Sequence, residues 1–156
     1  MNWSAFLFSF RGRINRGKYW LAALVYIVVS ILFFLLAFIA LGNNIDNLFS
    51  FAGVGILLWI AGVILIVAVT WSSIAVGIKR LHDREKTGWW LLLFLFGPTV
   101  LNGLGQSTSG GASLILFVAG FVVSVWAFVE LGCLRGTPGP NLYGPDPLGL
   151  SREPLR

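Results

Sequence analysis

The sequence predicts an all-α membrane protein with four transmembrane helices, and three observations lead to this prediction. Hydrophobic residues make up 57% of the 156-residue chain and charged residues only 11%, whereas a soluble globular domain carries about 25% charged residues. The mean hydropathy is +0.86. The apolar residues are grouped into runs as long as a bilayer crossing. A water-soluble chain of this length cannot bury so much apolar surface, so the excess is expected to face lipid.

The first two predicted spans are long and uncharged. A transmembrane helix needs about 20 apolar residues to cross the hydrocarbon core. The runs at 19–41 and 51–78 reach this length and contain no charged residue. The polar stretch GNNIDNLFS at 42–50 lies between them and predicts a turn. Because the h-region of a signal peptide spans about 7–15 residues, the first run is interpreted as a retained helix.

The third and fourth predicted spans come from one stretch, 87–129, that has no charged residue. It is too long for one helix, and the loop signal GQSTSGG at 105–111 divides it. Helices are therefore predicted at 89–104 and 112–134. The first is short and contains Gly97-Pro98, which predicts a kink and leaves a re-entrant segment open as an alternative. Together the four spans predict a single membrane domain over residues 1–149, followed by a flexible tail at 150–156.

The basic residues predict the orientation of the helices. Cytoplasmic segments of membrane proteins carry the Lys and Arg excess. With four spans, all eleven basic residues fall on one side, in the N-terminal segment, the loop after the second span and the tail. The two loops on the other side contain none. Because three spans would separate the tail from the other basic segments, the pattern favours four spans with both termini in the cytoplasm.

The N-terminal segment has an aromatic face and a basic end. Trp3, Phe6, Leu7 and Phe10 recur at i, i+3, i+4 and i+7, which places them on one face of a helix. We expect this segment to lie in the membrane interface, or to act only as a topology anchor. The basic residues that follow would then meet anionic lipid head groups; they are Arg11, Arg13, Arg16 and Lys18.

The loop after the second span carries the chain's single histidine, His82, next to Asp83. Adjacent residues on a helix point in different directions, so this pair is not a ready-made catalytic dyad. One histidine with Cys133 remote in sequence does not make a metal site, and no metal or cofactor is predicted. Asp83 is expected to pair with an arginine of the N-terminal segment. The second helix is expected to extend into this loop and to end at Gly88.

Glu130 is the only acidic residue within a predicted span. Ionisable groups inside a membrane are candidates for a function by default. Glu130 lies near the cytoplasmic end of the fourth span, however, at the level of Lys79, Arg80 and Arg135. A salt bridge at the interface is therefore the favoured interpretation.

The tail, GTPGPNLYGPDPLGLSREPLR, is rich in proline and glycine. This composition predicts turns and extended structure rather than a helix. Within it, Tyr143 is expected to rest at the interface and Asp146 to face the basic N-terminal segment.

Three motifs in this order resemble a known family. FSFRGRINRGKYW at 8–20, KRLHDREKTGWW at 79–90 and GTPGPNLYGPDPLG at 136–149 resemble the bacterial membrane family called domain of unknown function 805. The resemblance implies a small bacterial inner-membrane protein of unassigned activity. The family pattern maps onto Arg13, Arg16, Tyr19, Trp20, Arg80, Leu81, His82, Asp83, Gly88, Trp89, Trp90, Gly139, Asn141, Tyr143, Gly144 and Asp146. The chain departs from the family at Arg84 and Glu85, where a hydrophobic residue and a glycine are frequent, and at Leu142, where a basic residue is usual.

The favoured function is a non-enzymatic accessory or scaffold protein whose cytoplasmic motifs contact anionic phospholipid head groups or a partner protein. The expected contact residues are Arg11, Arg13, Arg16, Lys18, Tyr19, Trp20, Arg80, His82, Asp83, Trp89, Trp90, Asn141, Tyr143 and Asp146. The lipid bilayer is the first partner, a homo-oligomer or a membrane protein partner is possible, and nucleic acid is not expected.

Two alternatives from other classes stay open. One is a subunit of a small transporter or channel, in which Glu130 would be the intramembrane ionisable group. The other is a lipid-modifying membrane enzyme with His82, Asp83 and Asp146 as acid–base groups.

Overall fold

The computed structural model describes residues 2–43 and 48–149, and within these ranges the fold is all-α. Its elements are α1 (Trp3–Phe8), α2 (Arg16–Gly42), α3 (Leu48–Asp83), α4 (Trp90–Ser107) and α5 (Gly111–Phe128), which continues as a π-helical turn (Val129–Cys133). No strand forms in the described ranges, where the one extended pairing is an isolated bridge between Asn141 and Gly144. The predicted flexible tail at 150–156 lies outside the described residues.

Among the described residues, three helical stretches are long and apolar enough to cross a membrane: Arg16–Gly42, Ala52–Asp83 and Gly111–Cys133. Their large apolar side chains are exposed on the protein surface, for example Phe38 at 78%, Leu57 at 69% and Phe121 at 68%. Such surfaces suit lipid rather than water. Helix α4, with 18 residues, is not among the three.

Helix α3 is longer at both ends than the predicted span 51–78. It extends into the following loop as expected, but it ends at Asp83 and not at Gly88. The reason is a Schellman motif, in which Lys86 N–H donates to Leu81 O (2.9 Å) and Glu85 N–H to His82 O (3.2 Å). Glu85 accordingly has a positive φ of 57°, the left-handed conformation that ends a helix.

The predicted loops are shorter than expected. Helix α3 already begins at Leu48, so only part of the predicted turn at 42–50 is non-helical, and residues 44–47 lie outside the described ranges. Helix α4 continues through Pro98 as far as Ser107, so the predicted loop at 105–111 is confined to its second half. There Gly110 has a φ of 73°.

Helix α2 packs against α3, and α4 packs against α5. Helices α4 and α5 approach each other closely at Gly120, where an added Cβ would lie 2.6 Å from the side-chain oxygen of Asn102. The two pairs meet where Gly77 of α3 packs against Leu91 of α4.

The buried apolar clusters lie at the same end of the helices. Two apolar clusters lie there: Phe6, Ile14, Ala22 and Val76, and Leu81, Leu91, Phe94 and Leu131. Because α1, residues 84–89 and residues 134–149 also pack at this end, we call it the junction end.

Helix α1 carries only part of the predicted aromatic face. It ends at Phe8, so Phe10 lies outside it. The ring of Phe10 packs edge-to-face on that of Trp71, with ring centroids 5.3 Å apart. Phe6 is buried whereas Trp3 is 50% exposed. The expectation that four residues share one face of a helix is therefore wrong at Phe10, because the helix is only six residues long.

Candidate functional site

Two buried arginines from different segments share one carboxylate at the junction end. Arg13 Nη2 lies 3.0 Å from Asp83 Oδ1, and Arg80 Nη1 lies 2.6 Å from Asp83 Oδ2. The exposed fractions of the Arg13, Arg80 and Asp83 side chains are 1%, 0% and 3%. The predicted pairing of Asp83 with an arginine of the N-terminal segment is therefore confirmed, with Arg13 as the partner.

The same arginines hold the main chain of the C-terminal segment. Arg13 donates to the carbonyl oxygens of Thr137 (2.7 Å) and Gly139 (2.8 Å). Arg80 donates through Nε to Leu131 O at 2.7 Å and through Nη2 to Leu134 O. A guanidinium group suits this position because its planar fork presents five donors to carbonyl oxygens that no helix or sheet satisfies. We call the group Arg13, Arg80, Asp83, Thr137 and Gly139 the polar junction.

A glycine lets the C-terminal segment approach the shared carboxylate. A Cβ added to Gly136 would lie 1.9 Å from Asp83 Oδ2, a distance at which atoms clash. The next residue, Thr137, donates its backbone N–H to Asp83 O at 2.8 Å. The segment therefore passes over the end of α3 at backbone distance, which only glycine permits.

A second ionic cluster surrounds Glu130. Its carboxylate lies 3.0 Å from Arg84 Nε and 3.1 Å from Lys86 Nζ, and its side chain is 4% exposed. The predicted salt bridge is thus confirmed, although its partners come from the loop after α3. The ammonium group of Lys86 also lies over the rings of Trp90 and Trp126, 5.1 and 5.6 Å from their centroids.

His82 joins all three motifs without forming an acid–base pair. Its ring stacks on Tyr143 with centroids 3.9 Å apart and planes 5° apart. Its Nδ1 lies 3.4 Å from Gly12 O, and its own carbonyl accepts an N–H from Asn141 Nδ2 at 2.9 Å. Asp83 pairs with the two arginines instead. The contacts of His82 and Asp83 therefore attach the three segments to one another.

Lys79 is not among the predicted contact residues, yet it is one of the most deeply buried charges, at 3% exposure. Its ammonium group donates to Ala5 O at 3.1 Å and to Phe6 O, two carbonyl oxygens in the last turn of α1. Ser72 supports the same helix end by donating to Leu7 O at 2.8 Å. The sequence offered one signal, the position of Lys79 at the start of the second motif.

Other predicted contact residues remain at the surface. Arg11, Arg16, Trp20 and Trp89 are exposed, whereas Lys18, Tyr19, His82, Trp90, Asn141, Tyr143 and Asp146 are partly buried. Trp20 Nε1 donates to Gly132 O at 3.0 Å. The predicted contact set therefore contains buried, partly buried and exposed residues, and exposed Trp20 joins two segments while keeping part of its surface open to the surroundings.

Asp146 faces its own segment and not only the basic N-terminal residues. Its carboxylate accepts the backbone N–H groups of Leu148 (2.9 Å) and Gly139 (3.0 Å). These hydrogen bonds, in that order of effect, lower the pKa of Asp146 below its ordinary value, and the charge of Arg13 acts in the same direction.

In the described part of the chain, no group of three His, Cys, Asp or Glu side chains is placed to hold a metal ion. Buried side-chain polar atoms there all have a hydrogen-bond partner.

Comparison with known proteins gives a consistent result. The family model "Protein of unknown function (DUF805)" matches residues 7–145. The chain is 33% identical over 142 residues to the inner membrane protein YhaH of Escherichia coli, which covers 89% of this chain and 87% of the relative. It is also similar to the uncharacterized protein YiiR (30% identity, 90% and 86% covered) and the inner membrane protein YhaI (28%, 89% and 86%) of the same organism. No solved structure shows a significant match.

Proposed function

The chain belongs to the DUF805 family, and from this premise we propose that it is a multi-pass protein of the bacterial inner membrane. In this proposal it has no catalytic activity, its junction end lies in the cytoplasm, and its exposed basic residues there contact anionic phospholipid head groups. The observation that carries the proposal is the polar junction, which fastens three motif-bearing segments together on one side of the helices.

The polar junction supports four spans. Arg13, Asp83 and Thr137 are in direct contact, so the segments that carry them lie on the same side of a membrane. Helices α2 and α3 are each long enough to cross and α5 is as well, so α4 must also cross for the tail to return to that side. With 18 residues, α4 spans about 27 Å at 1.5 Å per residue, close to the hydrocarbon thickness of about 30 Å.

The charge at the junction end supports contact with anionic lipid. Of the described residues, nine basic and four acidic ones lie in the N-terminal segment, at the end of α3, in the following loop or after α5. The positive-inside rule places such an end in the cytoplasm. Each exposed Lys or Arg near an anionic surface contributes about 1 kcal/mol of attraction.

The state of the ionisable groups supports a non-enzymatic function. Asp83 and Glu130 are each paired with two cations, and His82 is stacked on Tyr143. General acid–base catalysis needs a group that reaches a substrate proton, and these groups reach protein atoms. The pairing of Glu130 also disfavours a transport function for it.

Cysteine labelling tests the orientation. In a Cys133→Ser background, a cysteine in place of Ser109 should react with a membrane-impermeant maleimide in intact cells, whereas a cysteine in place of Leu142 should react only in inverted vesicles. Leu142 is 94% exposed, so the reactivity of a cysteine there reports the side of the membrane on which it lies and not the extent of its burial. Labelling of both sites from the same side would overturn the four-span proposal.

Lipid retention tests the binding. The protein purified in mild detergent with equal amounts of phosphatidylglycerol and phosphatidylcholine should retain mainly phosphatidylglycerol in native mass spectra. Equal retention of the two lipids would contradict the proposed function. A protein that co-purifies in fixed ratio without lipid preference would favour a partner protein instead.

A further inference from the structure

A cavity of about 360 Å³ opens beside the polar junction. It lies between the start of α2 and the segment that follows α5, and Asp83 and Asp146 contribute to its walls. Its size suits a phosphate with part of a head group, since ligand pockets for small molecules begin at about 300 Å³.

Two arginines from separate segments line this cavity, Arg16 and Arg135. Both residues are exposed. Arg16 donates one hydrogen bond, a 3.3 Å contact from Nη1 to Cys133 O. Within the described residues, the Arg135 side chain forms no salt bridge. The cavity wall therefore contains two arginines, and guanidinium is the group best matched to phosphate oxygens.

The acidic residues of the cavity do not cancel this charge. Asp83 is engaged by Arg13 and Arg80, so the junction behind the cavity has more positive than negative charge. Asp146, whose carboxylate oxygens both accept backbone N–H groups, keeps its negative charge, so two carboxylates stand against four arginines in the cavity wall and the junction behind it. Lys79, which is also buried at this end, has only carbonyl partners among its hydrogen bonds. An anion in the cavity would offset the excess of positive charge, whose interactions are strengthened by low dielectric surroundings.

We propose that this cavity binds the phosphodiester of a phospholipid head group, with Arg16 and Arg135 on either side of the phosphate oxygens. The proposal rests on the proposed function, which places this end of the protein at an anionic membrane surface, and it assigns the contact to two particular arginines. Asp146, on the wall of the same cavity, accepts a hydroxyl hydrogen bond from the rest of the head group. Phosphatidylglycerol offers such hydroxyls and phosphatidylcholine does not.

The experiment compares two pairs of variants in nanodiscs. Arg16→Gln and Arg135→Gln, singly and together, remove the cavity cations. Arg11→Gln and Lys18→Gln remove basic residues from the same N-terminal segment that do not line the cavity. The readout is the number of phosphatidylglycerol molecules that remain bound in native mass spectra as this lipid is diluted with phosphatidylcholine. Since each variant removes a charged donor of hydrogen bonds to the phosphate, each cavity variant should bind at least about tenfold more weakly and the double variant about a hundredfold.

The controls separate this proposal from the proposed function. Wild-type protein with no preference for phosphatidylglycerol would overturn both. Wild-type preference that is lost in the Arg11 and Lys18 variants but kept in the cavity variants would support surface attraction and overturn the cavity site.

A soluble anion is distinguished by competition with inorganic phosphate. Displacement of the lipid by phosphate near 1 mM would identify a free phosphate as the ligand and overturn the head-group assignment. Retention of the lipid under these conditions supports the head group. The circular dichroism and detergent stability of each variant check that the fold is intact.

Discussion

The junction end and the opposite halves of the helices are stabilised in different ways. At the junction end, charged side chains with 0–4% exposure bind main-chain oxygens and one another. In the apolar halves, no residue in the most hydropathic window of α2 or α3 is buried. In lipid there is no hydrophobic force between helices, so close packing and hydrogen bonds must associate them. The difference indicates that the polar junction, and not the apolar surface, sets how the two helix pairs are arranged.

Removing the carboxylate that Arg13 and Arg80 share should cause the largest loss in the free energy of unfolding. Asp83→Ala leaves two buried guanidinium groups without their anion. Removing one partner of a buried ion pair costs about 3–5 kcal/mol of stability. Reversible unfolding in SDS, monitored by circular dichroism, measures the free energy. The control is Leu57→Ala in the apolar half, where the side chain is 69% exposed; its effect should be below about 1 kcal/mol. Similar losses for the two variants would remove the distinction between the regions.

A methyl group at Gly136 should cause the next largest loss of stability. Gly136→Ala places its Cβ 1.9 Å from Asp83 Oδ2, so the tail must move away from α3. Overpacking of this kind costs about 1–3 kcal/mol. Gly103→Ala is the control, since a Cβ there meets nothing within 4 Å and alanine favours a helix. Proteolysis of residues 134–149 should accelerate in Gly136→Ala only. Equal rates in the two variants would show that the position of this segment does not depend on the close approach of Gly136 to Asp83.

Neutralising Glu130 should have a smaller effect. Glu130→Gln removes two ion pairs whose cationic partners are 25% and 26% exposed, and partly exposed pairs contribute about 1 kcal/mol or less. Charge reversal restores part of the interaction if Arg84→Glu is combined with Glu130→Arg, and the double-mutant cycle measures this coupling. A coupling energy near zero would mean that the π-helical turn alone positions Glu130.

Much of the fold follows from local patterns in the sequence. Long uncharged runs give α2, α3 and α5 because hydropathy depends on composition alone. The pairing of Asp83 with an N-terminal arginine was predictable because both lie in ordered motifs that meet at one end. The choice of Arg13 over its neighbours was not, since it depends on a turn at Gly12, whose φ is 92°.

The main-chain contacts of the junction could not be read from the sequence. Arg13 and Arg80 donate to carbonyl oxygens, and every residue has a carbonyl, so no residue type marks such an acceptor. The observed end of α3 differs from the predicted one for a related reason. The C-terminus of α3 is set by the backbone conformation of Glu85, whereas the composition around it favours a helix up to the next glycine.

That conformation leads to the smallest predicted effect, and to one of opposite sign. Glu85 has a φ of 57° at a helix end where glycine is preferred, and a left-handed conformation costs a residue with a side chain about 1 kcal/mol. Glu85→Gly should therefore raise the free energy of unfolding by up to about 1 kcal/mol. Glu85→Ala removes the same charge but keeps the Cβ, so it should not stabilise the protein. If both variants stabilise equally, the gain comes from removing a carboxylate from the C-terminal end of α3, where the helix dipole disfavours negative charge, and the backbone of this turn is not strained.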